Sequence, residues 1–482
     1  MSEHEESASI DVPADAQGKR STSAFGRAVI ADALSPIDPT GAAAAGREAN
    51  WRSGYLSHLR RLVEAGLADP QVWQASARSG LDSIHQRMVV GDGTTAAWPS
   101  DPSAGSLHTV TVRGTVEPAS DFVLPMGGQR LGQEDLDRQL STWTERGVLE
   151  PGAADAVRRV AEHPEWLRAD GHTFVALGAG SEMGPVKALL RWGATVAAVD
   201  LPRKQVWKRL SEAATARAGV MHAATMSGEL DGAGVDLTSD VPALADWIAG
   251  LEGRVVLGNY VYADGAANLR VSAAVDALTQ RVLADRADAA LAFLATPTDV
   301  FVVPEEAVAH SLDAFEHRRS AAKIIGRPLR ALSGGRLLAR QYRPGSTGPG
   351  IHDALVPQQG PNYALAKRLQ RWRATMEREE GRTVSMNIAP PTRTQSVVKN
   401  RALAAAYAGA HRFGVEVFEP ATSNVLMAAL LVHDLHVPMP THEHPWQDEA
   451  AYAVHGGLWR CAYEPRSMLG LAAVLGYAAS RR

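Results

Sequence analysis

Two short patterns in this 482-residue chain have the residue types and the spacing to do chemistry. The first is Tyr363 and Lys367, in G-P-N-Y-A-L-A-K, four positions apart, so that on a helix both side chains leave from one face. An ammonium beside a phenol favours phenolate and lowers its pKa, which makes a tyrosine a usable proton donor near neutral pH. The second is G-A-G-S-E-M-G, from Gly178 to Gly184. Small residues let a backbone approach a pyrophosphate held at the N-terminus of the following helix. Asp200 lies about 20 residues past the glycines, where a carboxylate takes the hydroxyls of an adenosine ribose.

These residues need a frame. An apolar run from Phe174 to Leu177 stops at the glycines, an apolar-periodic segment runs from Val186 to Trp192, and a second run from Thr195 to Val199 ends in Asp200. That is strand, turn, helix, strand, carboxylate, a dinucleotide-binding unit. The alternation continues with a helix to about Arg217, a third strand at Gly219 to Ala224 and a helix at Val241 to Leu251. A strand at Arg254 to Tyr262, a helix at Val271 to Ala287 and a strand at Ala289 to Ala295 complete it. The expected fold is α/β, a Rossmann-type doubly wound parallel sheet. Between about residues 300 and 360 the alternation breaks into Pro- and Gly-rich sequence, read as an insertion facing the substrate. The expected domains are a disordered tail over 1–23, a mainly helical N-terminal domain over 24–168, and the nucleotide-binding domain over 169–482. Within the N-terminal part, two helices are expected between Glu134 and Trp166, one or two strands between Leu107 and Val123, and a loop at Trp98 to Ser106.

A glycine-rich βαβ unit, five alternating strands, a tyrosine–lysine helix and a strand ending in N-I-A-P-P-T-R-T come in an order that resembles the short-chain dehydrogenase/reductase family. The likeness runs from about Gly171 to Leu475, with the first third of the chain as an extra domain. It aligns G-A-G-S-E-M-G with the family's T-G-x-x-x-G-x-G turn: Gly178 and Gly184 are in register, and Glu182 stands where the middle glycine belongs. It implies cofactor contacts at Gly178, Gly180, Ser181, Glu182, Met183, Gly184, Asp200, Leu201, Arg203, Asn259, Thr296, Lys367, Pro390, Thr392 and Thr394. It implies Tyr363 as general acid and base, with Lys367 on the nicotinamide ribose. The family's serine is matched by Thr298 or Thr296 at the end of the fifth strand, or by Ser346 or Thr347 inside the insertion. The implied activity is NAD(P)-dependent hydride transfer between a nicotinamide and a carbonyl or alcohol, with two alternatives. One is an epimerase or dehydratase with tightly held NAD; the other is a catalytically silent nucleotide-binding sensor or scaffold. Asp200 favours NAD, because it repels a 2′-phosphate, while Arg203 and Lys204 close behind leave NADP open. A homodimer through the long helices is a further expectation from the family.

The remaining composition narrows the classes. A formal charge of −4 gives no basic footprint for nucleic acid. No apolar run approaches the roughly 20 residues that span a bilayer, and the start M-S-E-H-E-E-S is no signal peptide, so a soluble cytoplasmic protein is expected. The single Cys461 forbids an internal disulfide and is read as packing. His433, His436, His442 and His444, among Pro438, Pro440 and Pro445, are read as a loop bordering the substrate cleft, with no metal expected. The arginine-rich run from His317 to Arg340 is read as a solvated face, with an anionic substrate as the alternative.

Overall fold

The computed structural model describes residues 9–91, 93–94, 106–318, 320–356, 358–440 and 442–478. Seven strands form its central sheet: β1 (His108–Arg113), β2 (His172–Leu177), β3 (Thr195–Val199), β4 (Val220–Thr225), β5 (Arg254–Asn259), β6 (Ala290–Ala295) and β7 (Val384–Ile388). Their spatial order is β7-β6-β5-β2-β3-β4-β1. All pairs are parallel except β1 with β4. The order reverses between β2 and β5, so the fold is a Rossmann-like doubly wound sheet with one antiparallel edge strand.

The strands read as continuous apolar runs because helices cover both faces. Side chains alternate: Val175, Leu177, Val255 and Leu257 enter one core, while Phe174, Ala176 and Val256 enter the other. Helices α1 (Val186–Trp192) and α2 (Lys204–Thr215) follow β2 and β3. Next come α3 (Val241–Ala249), α4 (Ala266–Asp285), α5 (Gly360–Glu379) and α6 (Pro420–His436). α3, α4 and α5 contribute to the first core, and α1, α2 and α6 to the second.

The N-terminal part departs from the expected separate domain. It lends β1 to the sheet, and the helices Thr22–Leu34, Trp51–Gly66 and Pro70–Arg87 share the first core with α4 and α5. At Gly80 the approach is close: a Cβ there would stand 2.5 Å from the Trp372 indole. Part of the expected tail is ordered. Residues 1–8 lie outside the described residues, but Ile10 and Val12 are buried, and Ile10–Asp11 pairs with Val89–Val90. Two buried aliphatic side chains in a polar stretch show no periodicity, so the sequence gives no sign of them. The patch expected as a loop falls, over 95–105, outside the described residues. The insertion is closed at its base by an antiparallel ladder, Val300–Val303 against Gly350–Asp353. Among the described residues, no helix is long and apolar enough to cross a membrane.

Candidate functional site

At the switch between β2 and β5 the glycine turn leaves β2. Gly178 has φ +82°, and a Cβ there would lie 2.8 Å from the Tyr260 carbonyl oxygen and 3.1 Å from Val261 Cα, so the turn presses on the end of β5. The amides of Gly178 and Ala179 donate to the Val199 carbonyl (2.9 and 3.1 Å), and Ser181 N–H donates to the Gly178 carbonyl (3.0 Å). Gly180 N–H donates to Asp200 Oδ2 and Leu201 N–H to Oδ1, both at 2.8 Å. The carboxylate is thus held in place with lone pairs left over on each oxygen. Gly184 N–H donates to Ser181 Oγ (3.3 Å).

Three side chains shape this turn further. Asn424 of α6 accepts from Ala188 N–H at 3.0 Å and donates to the Gly184 carbonyl, so it caps the first turn of α1 from outside the helix. Glu182 Oε2 accepts from Gln395 N–H at 2.8 Å, which carries its charge across to the start of the helix Gln395–Lys399. Tyr260 is buried beneath the turn, its ring packed where Gly258 leaves room, and burial pushes its phenol up. The Glu182 and Met183 amides have no partner among the described residues. These contacts fit a nucleotide: Asp200 suits a ribose diol, and two amides of the turn remain for a phosphate. Lys204 is paired with Asp231 at 3.0 Å, leaving exposed Arg203 as the nearer cation behind Asp200.

The second half of the site lies at the C-terminal end of β6. Thr296 and Thr298 share a hydroxyl–hydroxyl bond of 2.9 Å, and Gln359 Nε2 donates to Thr298 Oγ1 at 2.8 Å. Tyr363, half-buried near the start of α5, stands close enough to the Thr296 hydroxyl for it to favour the phenolate, and its ring meets Tyr262 edge to face at 6.2 Å. Thr296, Thr298 and Tyr363 are therefore brought together, whereas Ser346 is exposed and bonds the Arg343 carbonyl.

Lys367 behaves otherwise than expected. Its Nζ donates to the Leu294 carbonyl (2.9 Å) and to Gln370 Oε1 (3.1 Å). Burial pushes it down to about 8, against the pull of Asp299. The Tyr363 phenol is raised, not lowered: burial dominates, Asp299 and Tyr262 add to it, and the nearby Thr296 hydroxyl opposes. Spacing put both residues on one face but could not show that a strand carbonyl takes the ammonium.

Other expected contacts are placed as follows. Asn259 ends β5, buried, with Oδ1 lacking a partner among the described residues. Pro390 is buried, and Thr392 is turned inward, bonded to the Pro390 carbonyl (2.8 Å) and Ser423 Oγ (2.7 Å), so its hydroxyl does not face the crevice. Thr394 precedes the helix Gln395–Lys399 and shares a bond with Ser396. The histidine group scatters, and its first half is on α6 instead of a loop. His433 meets Asp434 at 3.2 Å, His436 stacks on Trp166, His442 meets Asp448 at 2.6 Å, and His444 sits against Trp73. Among the described residues no three His, Cys, Asp or Glu are grouped to hold a metal.

Asn424, Gln359 and Tyr262 were not foreseen. Asn424 had one signal, a carboxamide inside an otherwise apolar helix.

No family model matches the chain, and no curated protein does. Among solved structures, a mutant short-chain dehydrogenase/reductase of Serratia marcescens aligns with 60% of this chain and 98% of its own, at 14% identity and a TM-score of 0.32. A likeness that faint decides nothing about chemistry; strand order alone makes this chain Rossmann-like.

Proposed function

We propose that the chain is an NAD(P)-dependent oxidoreductase acting on a small carbonyl or alcohol. The observation that carries this reading is the cluster of hydroxyls at the end of β6, Thr296 bonded to Thr298 with the Tyr363 phenol beside them, one strand from the switch point, where ligands of open α/β sheets bind. Asp200 would hold the adenosine ribose and the Glu182 and Met183 amides a phosphate. A bound nicotinamide would supply or accept the hydride. Tyr363 and one threonine hydroxyl would grip the substrate oxygen, and Tyr363, protonated at neutral pH, would donate its proton as charge develops there. Lys367 would act as a positioning residue, tying α5 to the end of β6 through the Leu294 carbonyl. Asp200 favours NAD over NADP.

A second reading, a nucleotide-binding sensor without turnover, draws support from the raised phenol and the committed ammonium. NADH or NADPH fluorescence enhancement, followed by assay of wild type and Tyr363→Phe on a panel of aldehydes and ketones, separates the two. Turnover that drops about 100- to 10,000-fold in the variant is the oxidoreductase result. Binding with no tyrosine-dependent turnover is the sensor result, and no binding of either nucleotide discards both.

A further inference from the structure

The insertion carries an electrostatic anomaly. From His317 to His352 the sequence holds eight Lys and Arg and no Asp or Glu, in a chain that is otherwise acidic enough to total −4. A basic segment of this kind spreads its charges when nothing binds between them, since like charges repel. Here three of them converge. The guanidinium carbons of Arg318, Arg340 and Arg330 lie 3.7, 4.3 and 5.9 Å from the centroid of one ring, that of Phe315.

The ring is a poor counter-charge for three cations, because a cation–π contact at an exposed site is worth only about 0.5–1 kcal/mol. Of the three, Arg340 pairs with a carboxylate, Glu316, at 2.5 Å. Arg318 donates to the Phe315 carbonyl and touches the Tyr463 phenol. Neither Arg318 nor Arg330 has a carboxylate partner among the described residues. The floor beneath them is firm, since Phe315 and Tyr463 are buried and meet edge to face at 5.6 Å.

We infer that Arg318, Arg330 and Arg340 form an oxyanion site on the insertion, built for a phosphoryl group of a soluble phosphoester. Planar, always-charged forks that offer several donors each suit phosphate oxygens better than a lone lysine does. The site is separate from the glycine turn and does not depend on the nucleotide reading.

The probe is inorganic pyrophosphate, titrated calorimetrically into the full chain at low ionic strength. Saturable binding is expected, weakened about tenfold or more in Arg318→Gln/Arg330→Gln, the scale of lost charge-assisted hydrogen bonds. The exposed Arg209→Gln variant should bind like wild type, and Glu316→Gln should bind more tightly by removing the competing anion. Far-UV circular dichroism confirms that each variant is folded. Absence of saturable binding in wild type, or equal affinity in the double variant, overturns the site. Sedimentation with phosphatidylglycerol vesicles but not phosphatidylcholine, without pyrophosphate binding, also overturns it and assigns the basic segment to a lipid surface.

Discussion

Three glycine-to-alanine variants at the two ends of β2 separate backbone strain from close approach. Gly171, before β2, has φ +81° and nothing within 4 Å of an added Cβ, so alanine there meets backbone strain alone. A single L residue held in the left-handed region costs about 1–2 kcal/mol. Gly184 is the reverse: its φ is not positive, and a Cβ would find Ser181 Cβ at 3.2 Å and Tyr260 Cγ at 3.5 Å. Modest relaxation absorbs that, at under about 1 kcal/mol. Gly178 carries both burdens. Its φ is +82°, and the three nearest atoms to a Cβ, at 2.8, 3.0 and 3.1 Å, are all backbone of Tyr260 and Val261, which cannot rotate away. The β2 turn must then part from the end of β5, adding roughly 1–3 kcal/mol of overpacking, for a total of about 2–5 kcal/mol. Urea unfolding of the full chain followed by circular dichroism should order the losses as Gly178→Ala, then Gly171→Ala, then Gly184→Ala. NADH fluorescence should vanish first in Gly178→Ala, because Asp200 is held by the same turn through Gly180. If Gly178→Ala unfolds at the wild-type urea concentration, or if Gly171→Ala costs as much, the close approach of turn and strand is not what fixes the crevice.

Two further outcomes follow from charge. For Glu150, burial raises the pKa, but the His455 and Arg460 bonds outweigh it and bring the carboxyl to about 2. Its stabilisation is therefore complete above the unfolded value near 4.5 and is lost as pH falls towards 2, about 3 kcal/mol in all; Glu150→Gln should flatten that part of the acid-unfolding curve. Glu182 puts a carboxylate on the turn proposed to hold a phosphate, so Glu182→Gln should tighten NADH binding about tenfold, the worth of one charge roughly 10 Å away at an effective dielectric near 20. Unchanged affinity, measured by fluorescence titration, would mean that the bond to Gln395 already carries the charge clear of the phosphates.

The parallel sheet was legible because buried strands such as Phe174 to Leu177 and Ala290 to Ala295 are short, apolar and regularly separated by helical periods. The sequence also marks Thr296, Thr298 and Tyr363 as candidates, and the structure places all three at the C-terminal end of β6. What escaped were contacts that depend on who reaches a group first. Thr392 looks like a crevice hydroxyl in sequence, but Ser423 of α6 takes it. Lys367 looks like a partner for the phenol, but a strand carbonyl lies nearer. The N-terminal helices looked separable because an amphipathic pattern says that a face is covered and not by what.

That covering explains an oddity in α5. The segment R-L-Q-R-W-R-A-T-M-E reads as half solvent-facing, yet Arg368, Gln370, Arg371, Arg373, Thr375 and Glu377 are all buried. Buried charges are tolerated only when paired, and here Arg371 bonds Asp299 (2.9 Å) and Glu449 (3.0 Å), while Arg373 bonds Asp276 and Glu377 at 2.9 Å each. Asp276 of α4 also receives His85 of the N-terminal helix Pro70–Arg87 at 2.7 Å. Breaking such a pair costs more than its formation gains, so the network resists sliding of α5 even where it adds little net stability. Tyr363 sits at the start of that helix, one turn from Lys367 and its bond to β6. The N-terminal layer thus bears on the site through α5: it clamps the helix whose first turn carries Tyr363.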